Sequence, residues 1–188
     1  MILVGDEHNL YNREEALNRV NTWISNCDAK ISFSLAFAGV LLGVFFTSDT
    51  IQTSLFKVLK NVMDLGKNEF ILLATTLIFA GFVICLILSI WYFFRGLRGT
   101  INSSVYKQDS IATRSLLFFG SIQNYNFNEF RDKVESVKKE ELVNDYLSQI
   151  HINSIICQRK FINYNKGIKF LLLSIIFFVL LNIGFLFV

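Results

Sequence analysis

The apolar residues of the chain fall into three long blocks that carry almost no charge. The blocks are residues 31–47, 70–94 and 168–188. A helix needs about 20 consecutive apolar residues to cross a bilayer, and the first block lies at the short end of that range. The pattern therefore predicts an all-α integral membrane protein with three transmembrane helices. The composition agrees, since 53% of the residues are hydrophobic and 20 are phenylalanine.

The polar segments beside the first span also have a helical period. Leu10, Leu17 and Ile24 recur every seven residues, so residues 1–30 are expected to form a cytosolic amphipathic helix that runs into the first span. Residues 48–69 are expected to form an external loop that carries a short helix on the membrane surface, because their apolar positions share one helical face.

The segment between the second and third spans, residues 95–167, is expected to form a cytosolic sensing region. Within it, residues 99–128 are rich in Ser and Asn and have no helical period, which predicts a loop with one short extended piece at Leu116–Phe119. An apolar seam starting near Glu140 predicts one helix that continues through the third span. The seam comprises Val143, Leu147, Ile150, Ser154, Cys157, Phe161, Tyr164 and Ile168.

Basic residues are unevenly distributed along the chain. Residues 95–167 carry eleven basic and seven acidic groups, whereas residues 48–69 carry three of each. Lys and Arg favour the cytoplasmic side of a membrane, so the N-terminus is predicted inside and the C-terminus outside. The positive segment either anchors the protein against anionic lipid or holds an anionic ligand.

Catalytic and metal-binding patterns are missing from the sequence. His8 and His151 have no ligand spacing, and no P-loop, dinucleotide-binding, zinc-protease or serine-hydrolase motif occurs. The three cysteines lie in separate helical segments without a CxxC pair. These observations predict a protein that is not an enzyme and that has no catalytic residue, metal or cofactor.

Small residues line one face of the first span. They are Ser32, Ala36, Gly39 and Gly43, spaced four, three and four residues apart. Such a stripe allows close helix packing in lipid, either inside one protomer or between protomers of a homo-oligomer. Asn182 is a polar side chain deep in the third span, where it either bonds to a neighbouring helix or faces a pore.

A stripe of amide and lysine side chains lies beside the apolar seam. Its members are Gln149, Asn153, Lys160 and Asn163. It is either an ordinary solvated face or a wall that faces a ligand, since amides read base edges and lysine meets phosphate. Arg95 and Arg98, at the end of the second span, either anchor that span or add positive charge to the same site.

Three further segments follow one another along the chain. They are NTWISNCDAK before the first span, LFFGSI at Leu117–Ile122, and DYLSQIHINSIICQRKFINYNKGIKF before the third span. In this order they resemble the Pycsar transmembrane effector family of bacteria. The resemblance implies a protein of the bacterial inner membrane that acts with a pyrimidine cyclase in anti-phage defence by abortive infection. A cyclic pyrimidine nucleotide (cCMP or cUMP) would then be the regulatory ligand, and membrane damage would be the output.

The resemblance also implies site residues. Those matching the family's segments are Asp28, Lys30, Phe119, Gly120, Ser121, Gln149, Asn153 and Lys160. A cyclic nucleotide needs a cation, amides and an aromatic face, so Tyr164 is an expected stacking residue beside Phe119. Expected partners are the lipid bilayer, the nucleotide and further copies of the chain, with no nucleic acid. The alternative function is a structural or accessory subunit of a membrane complex that senses nothing.

Overall fold

Helices account for most of the described chain. The computed structural model describes residues 3–63, 69–99, 105, 108, 111–112 and 114–185. The helices are α1 (Leu3–Thr47), α2 (Asp49–Met63), α3 (Glu69–Arg98), α4 (Phe119–Ile122), α5 (Phe127–Ser136) and α6 (Lys139–Phe185). Three of them, α1, α3 and α6, are long and apolar enough to cross a membrane. The predicted all-α class with three transmembrane helices is confirmed.

The chain divides into two compact units. The first unit comprises residues 1–27 and 99–160, and the second comprises residues 28–98 and 161–188. The second unit contains the three apolar blocks, and the first contains the polar segments between Gly99 and Lys160. Helices α1 and α6 each contribute residues to both units.

Phenylalanine rings join the three long helices inside the second unit. Phe45 of α1 lies 5.8 Å from Phe79 and 5.4 Å from Phe82 of α3, measured between ring centroids. Phe82 in turn lies 5.6 Å from Phe178 of α6. Aromatic pairs at these separations stabilise a helix bundle beyond the area they bury.

Helices α3 and α6 approach each other closely at small residues. A Cβ on Gly81 would lie 3.1 Å from the Phe177 ring, and one on Gly167 would lie 2.6 Å from the Phe93 ring. The Ser89 hydroxyl donates a hydrogen bond of 2.9 Å to the Gly167 carbonyl. In lipid, where apolar surface alone does not drive helix association, such close contacts are what hold two helices together.

Helix α2 belongs to the second unit and buries one face there. Ile51 and Val58 on this face are buried, whereas Phe56 on the opposite side is 71% exposed. The amphipathic helix predicted within residues 48–69 is therefore present, and its position on the membrane surface stays a prediction. The end of the predicted loop, residues 64–68, lies outside the described residues, as does the end of the third predicted span, residues 186–188.

The extended piece predicted at Leu116–Phe119 is wrong. The hydroxyl oxygen of Ser115 accepts hydrogen bonds from the backbone N–H groups of Leu117 and Phe118, each at 3.0 Å. This local bonding turns the chain, and α4 begins at Phe119. A serine before an apolar run competes with strand formation by offering the backbone a local acceptor.

The predicted loop also ends earlier than expected. Asn126 caps α5, because its side chain accepts from the Glu129 N–H at 2.9 Å while the Glu129 carboxylate accepts from the Asn126 N–H at 3.3 Å. This capping box satisfies two backbone donors that a helix start leaves open. Helix α5 therefore begins at Phe127, inside the segment predicted as loop.

Helix α6 buries a polar face in the first unit. It begins at Lys139, one residue before the predicted start, and its 47 residues span about 70 Å. The buried side chains are Asp145, Ser148, Gln149, Ile152 and Lys160. Leu147, which belongs to the apolar seam seen in the sequence, is 49% exposed. The seam therefore indicates the helix correctly but does not mark its buried side.

Candidate ligand-binding site

Two side chains of α6 fasten the chain that leads into α4. The Ala112 N–H donates to the Ser148 hydroxyl at 3.0 Å, and the Leu116 N–H donates to Asp145 Oδ2 at 2.7 Å. The Ser148 hydroxyl donates in turn to the Asn144 carbonyl at 2.7 Å. Residues three apart on a helix share a face, so both bonds hold the preceding chain against the same side of α6.

Two cavities lie between this chain segment, α5 and the first turns of α6. Both are lined by Arg114, Tyr125, Lys133 and Ser136. The larger cavity has a volume of about 750 Å³ and the smaller about 250 Å³. Together they are of the size that small-molecule sites have. We call the two cavities together the Arg114 pocket.

The two cavities differ in their remaining lining residues. Ser121, Asn124, Glu129 and Asp132 complete the larger cavity. The smaller cavity reaches α6 and is completed by Ala112, Leu116, Val137, Glu141, Leu142, Asn144 and Asp145. The larger cavity is thus lined by residues with polar side chains, while the smaller combines apolar residues with a buried acid.

Arg114 and Lys133 supply the positive charge of the pocket. Neither forms an ion pair with any residue that the structure describes. Two of the carboxylates beside them have other contacts: Glu129 caps α5, and Asp132 lies 3.5 Å from Arg131. The pocket therefore presents two cations to an incoming anion, and acids elsewhere on its wall limit how much negative charge it accepts.

Two buried oxygen atoms of the pocket have no hydrogen-bond partner among the described residues. They are the hydroxyl of Tyr125 and Oδ1 of Asp145. Asp145 is only 4% exposed, and its other oxygen is bonded to Leu116. A buried polar atom without a partner costs about 1–3 kcal/mol. Tyr125 and Asp145 both line the smaller cavity, and each has one buried oxygen that no described residue satisfies.

The stripe predicted on α6 is not a solvated face. Gln149 and Lys160 are 7% and 5% exposed, and the side chain of Lys160 packs on Gly99, where a Cβ would lie 3.0 Å from its Cε. Asn153 donates from Nδ2 to Asn21 Oδ1 at 2.8 Å. These side chains hold α6 inside the first unit, and none of the three lines the Arg114 pocket.

Other predicted ligand residues lie in the second unit. The ring of Tyr164 packs near Phe93, with centroids 6.4 Å apart. Arg95 and Arg98 are exposed in the last turn of α3. Positive side chains at a helix C-terminus are favoured by the helix dipole, so both arginines have a structural role in any case.

The remaining predicted residues are also dispersed. Asp28 is half-buried, and the ammonium of Lys30 lies 5.9 Å from the centre of the Phe161 ring in the second unit. Phe119 is 76% exposed in the first unit. Ser121 lines the larger cavity, so it is the predicted residue that the structure places in the Arg114 pocket.

The stripe of small residues on α1 faces away from the rest of the protomer. Ser32, Ala36, Gly39 and Gly43 are all exposed. A Cβ on Gly39 or Gly43 would meet nothing within 4 Å, in contrast to Gly81 of α3. Within the described part of the chain, neither glycine of the stripe packs closely against another helix of the protomer. Asn182 is also exposed, and its side chain donates to the Phe178 carbonyl of its own helix at 2.7 Å.

Two side chains of α6 in the first unit, Tyr146 and Cys157, have raised pKa values. Burial raises the pKa of Tyr146, and the nearby acids Glu14 and Asp145 raise it further. Burial also raises the pKa of the Cys157 thiol, although Lys160 lowers it in part. Both groups are therefore neutral near pH 7, and Cys157 is a poor nucleophile. No group of three His, Cys, Asp or Glu side chains suited to a metal occurs in the described part of the chain.

Sequence reasoning missed the two cations of the pocket, Arg114 and Lys133, and the two residues with unsatisfied buried oxygens, Tyr125 and Asp145. The sequence does contain one usable signal, because Asn126 and Glu129 have the spacing of a capping box and mark the start of α5. With α5 placed, Lys133 follows on that helix, close in sequence to Tyr125. Asp145 has no such signal, since an acid on a helix is most often solvated.

Comparison with known proteins gives one consistent result. The sequence profile of the Pycsar effector protein domain matches residues 12–187. Over 183 residues the chain is 49% identical to the Pycsar effector protein GmPycTM of Gulbenkiania mobilis, and this alignment covers 93% of each chain. No solved structure matches the chain significantly.

Proposed function

Because this chain belongs to the Pycsar effector family, we propose that a cyclic pyrimidine nucleotide binds its Arg114 pocket and switches the protein to impair the membrane. Members of this family are anti-phage membrane effectors and not enzymes, and cyclic pyrimidine nucleotides activate them. A partner cyclase is implied by the defence system. The proposal adds the location of the ligand and the consequence of its binding.

The observation that carries the proposal is the combination of groups in one pocket. A cyclic nucleotide has one phosphate charge, a ribose with a free hydroxyl and a flat base. Arg114 presents a planar fork and Lys133 a compact charge, and both are suited to phosphate oxygens. Tyr125 lines both cavities and supplies an aromatic ring suited to a base and a hydroxyl that has no partner among the described residues. Each part of the ligand thus has a complementary group on the wall.

Charge reversal in the pocket tests this site. We expect Arg114→Glu and Lys133→Glu each to weaken nucleotide binding at least about tenfold, because a charged hydrogen bond contributes about 1.5–3 kcal/mol. The matched control is Arg131→Glu, since Arg131 lies on α5 but is absent from both cavity walls. Calorimetry with cCMP and cUMP on the detergent-solubilised full chain measures the affinity.

Dye leakage and growth in cells that express the cyclase then measure the output. Full affinity in both pocket variants would place the ligand elsewhere. The same titration with Gln149→Ala tests the site proposed from the sequence, whose α6 contacts are Gln149, Asn153 and Lys160. A loss of binding in Gln149→Ala alone would favour that site over the Arg114 pocket.

We propose further that protomers associate in the membrane through the small-residue stripe of α1. The support is that Gly39 and Gly43 face open space while Gly81, Gly167 and Gly184 are in contact within the protomer. The homo-oligomer predicted from the sequence remains a proposal that cross-linking of the intact chain in membranes tests.

The proposed orientation has the N-terminus and residues 95–167 in the cytoplasm of the bacterial inner membrane and the C-terminus outside. Its support is the excess of basic residues in that segment. Phe56 and Arg131 are exposed, so each can be replaced by Cys in a chain whose three native cysteines are Ala. A membrane-impermeant maleimide should label position 56 in whole cells and position 131 only after lysis. Labelling of position 131 in whole cells would reverse the orientation.

A further inference from the structure

Asp145, the buried acid of the smaller cavity, has one carboxylate oxygen that is bonded and one that is not. Oδ2 of Asp145 accepts from the Leu116 N–H at 2.7 Å, whereas Oδ1 is buried and has no donor among the described residues. The residue is more than nine-tenths buried, since only 4% of its surface is exposed. A carboxylate oxygen only accepts hydrogen bonds, so a ligand that reaches Oδ1 must bring a donor.

The two cations lie on the wall of the same cavity. Arg114 and Lys133 line the smaller cavity together with Asp145 and Tyr125. One ligand in this cavity would therefore meet both cations and the buried acid. The cavity thus has separate positions for an anion and for a hydrogen-bond donor.

We infer that Asp145 selects the base, so that this protein prefers cCMP over cUMP. The inference rests on the proposed function and names the ligand of the same pocket. Cytosine carries an amino group at C4, which donates a hydrogen bond to Oδ1. Uracil carries a carbonyl oxygen at the same place, and that oxygen would face another acceptor. Aspartate accepting from the cytosine amino group is an established pairing in base recognition.

Replacement of Asp145 by Asn exchanges the acceptor for a donor without changing the shape. The Leu116 N–H needs an acceptor, so it orients the amide oxygen of Asn toward itself. The amide NH₂ then takes the place of Oδ1. In that arrangement uracil O4 gains a hydrogen bond and the cytosine amino group loses one. Asp145→Asn should therefore reverse the preference between the two ligands.

Calorimetry on the full chain in detergent micelles, with 3′,5′-cCMP and 3′,5′-cUMP as ligands, tests the inference. We expect the wild type to bind cCMP about tenfold or more tightly than cUMP, and Asp145→Asn to bind cUMP more tightly than cCMP. The control Glu135→Gln makes the same change from carboxylate to amide at an exposed acid of α5 that lines neither cavity, and it should keep the wild-type preference.

A ligand analogue gives a second test that needs no variant. The cyclic monophosphate of N4,N4-dimethylcytidine has no donor at the exocyclic nitrogen, and the wild type should bind it about tenfold more weakly than cCMP. The comparison of this analogue with cCMP still tests the inference if the Asp145→Asn variant does not fold. Equal binding of the analogue and cCMP would overturn the role of Asp145.

The outcomes separate the inference from the proposed function. Binding of both nucleotides with equal affinity, or with a preference for cUMP in the wild type, would overturn base selection by Asp145 and leave the Arg114 pocket in place. Tight binding that is insensitive to Arg114→Glu would place the ligand elsewhere. Absence of binding by either nucleotide would overturn the proposed function itself.

Discussion

The side chain of Lys160 lies against the backbone of Gly99, so that a Cβ on Gly99 would stand 3.0 Å from Lys160 Cε. Gly99 follows the last residue of α3 and has a positive φ of 54°. Such a conformation is common for glycine directly after a helix and strained for residues with a Cβ. This contact holds Gly99 against a buried lysine of α6, and both residues belong to the first unit.

The Gly99→Ala variant should therefore be destabilised. We expect the free energy of unfolding to fall by about 1–2 kcal/mol from the positive φ, with a further loss from the crowded Lys160 side chain. Chemical denaturation of the detergent-solubilised protein measures this loss. The control is Gly39→Ala, which is in open space. If adding Lys160→Ala restored none of the stability, the crowding part of the explanation would be wrong.

The Asp145→Ala variant should lose stability through the Leu116 amide. Removing the carboxylate leaves a partly buried N–H without its acceptor, at a cost of about 1–3 kcal/mol. Asp145→Asn keeps an acceptor and should lose less. Thermal unfolding of both variants, with the exposed Glu135→Ala as a control, measures the difference. Equal losses in the Ala and Asn variants would show that the hydrogen bond is not the cause.

Substitution by leucine should lower stability at Gly81 but change only the oligomer size at Gly39. At Gly81 it would collide with the Phe177 ring, because even a Cβ there would stand 3.1 Å from that ring, so we expect a loss of about 1–3 kcal/mol from overpacking. At Gly39 it meets nothing inside the protomer, so the unfolding midpoint should not change while the cross-linked oligomer becomes smaller. An unchanged oligomer in Gly39→Leu would show that the stripe faces lipid.

Cys157 should react slowly with iodoacetamide at neutral pH. Burial raises the pKa of its thiol above the usual 9.0, so the reactive thiolate is scarce until the pH rises well past that value. Lys160→Met should slow the reaction further, because Lys160 lowers this pKa. Cys27 and Cys85 are replaced by Ala so that one thiol remains. A rate at neutral pH equal to that of free cysteine would contradict the expected shift.

Hydropathy was enough to predict the three spans because the bilayer imposes one strong requirement, a helix of about 20 apolar residues. The apolar seam of residues 143–168 placed the start of α6 within one residue. It gave no information on which side of α6 is buried, since an apolar seam and a polar stripe lie side by side there. The structure buries Gln149 and Lys160 and exposes Leu147.

The pocket was beyond sequence reasoning for a different reason. Its walls come from a turn set by Ser115, a helix capped by Asn126 and a distant acid, Asp145. Each of these features depends on one polar side chain, and none of them produces a periodic pattern in the sequence. The resemblance to a family supplied the class of ligand but did not locate its contacts.

The two hydrogen bonds from Ala112 and Leu116 to α6 have a consequence for amide exchange. Both donors are backbone N–H groups whose protons exchange with solvent deuterium only when these bonds open. A ligand that occupies the pocket favours the closed arrangement, and by linkage it must slow deuterium uptake at both amides. Deuterium uptake at Ala112 and Leu116 therefore reports whether the pocket is occupied. It needs no chemical modification of the protein and can be measured even when the membrane shows no change.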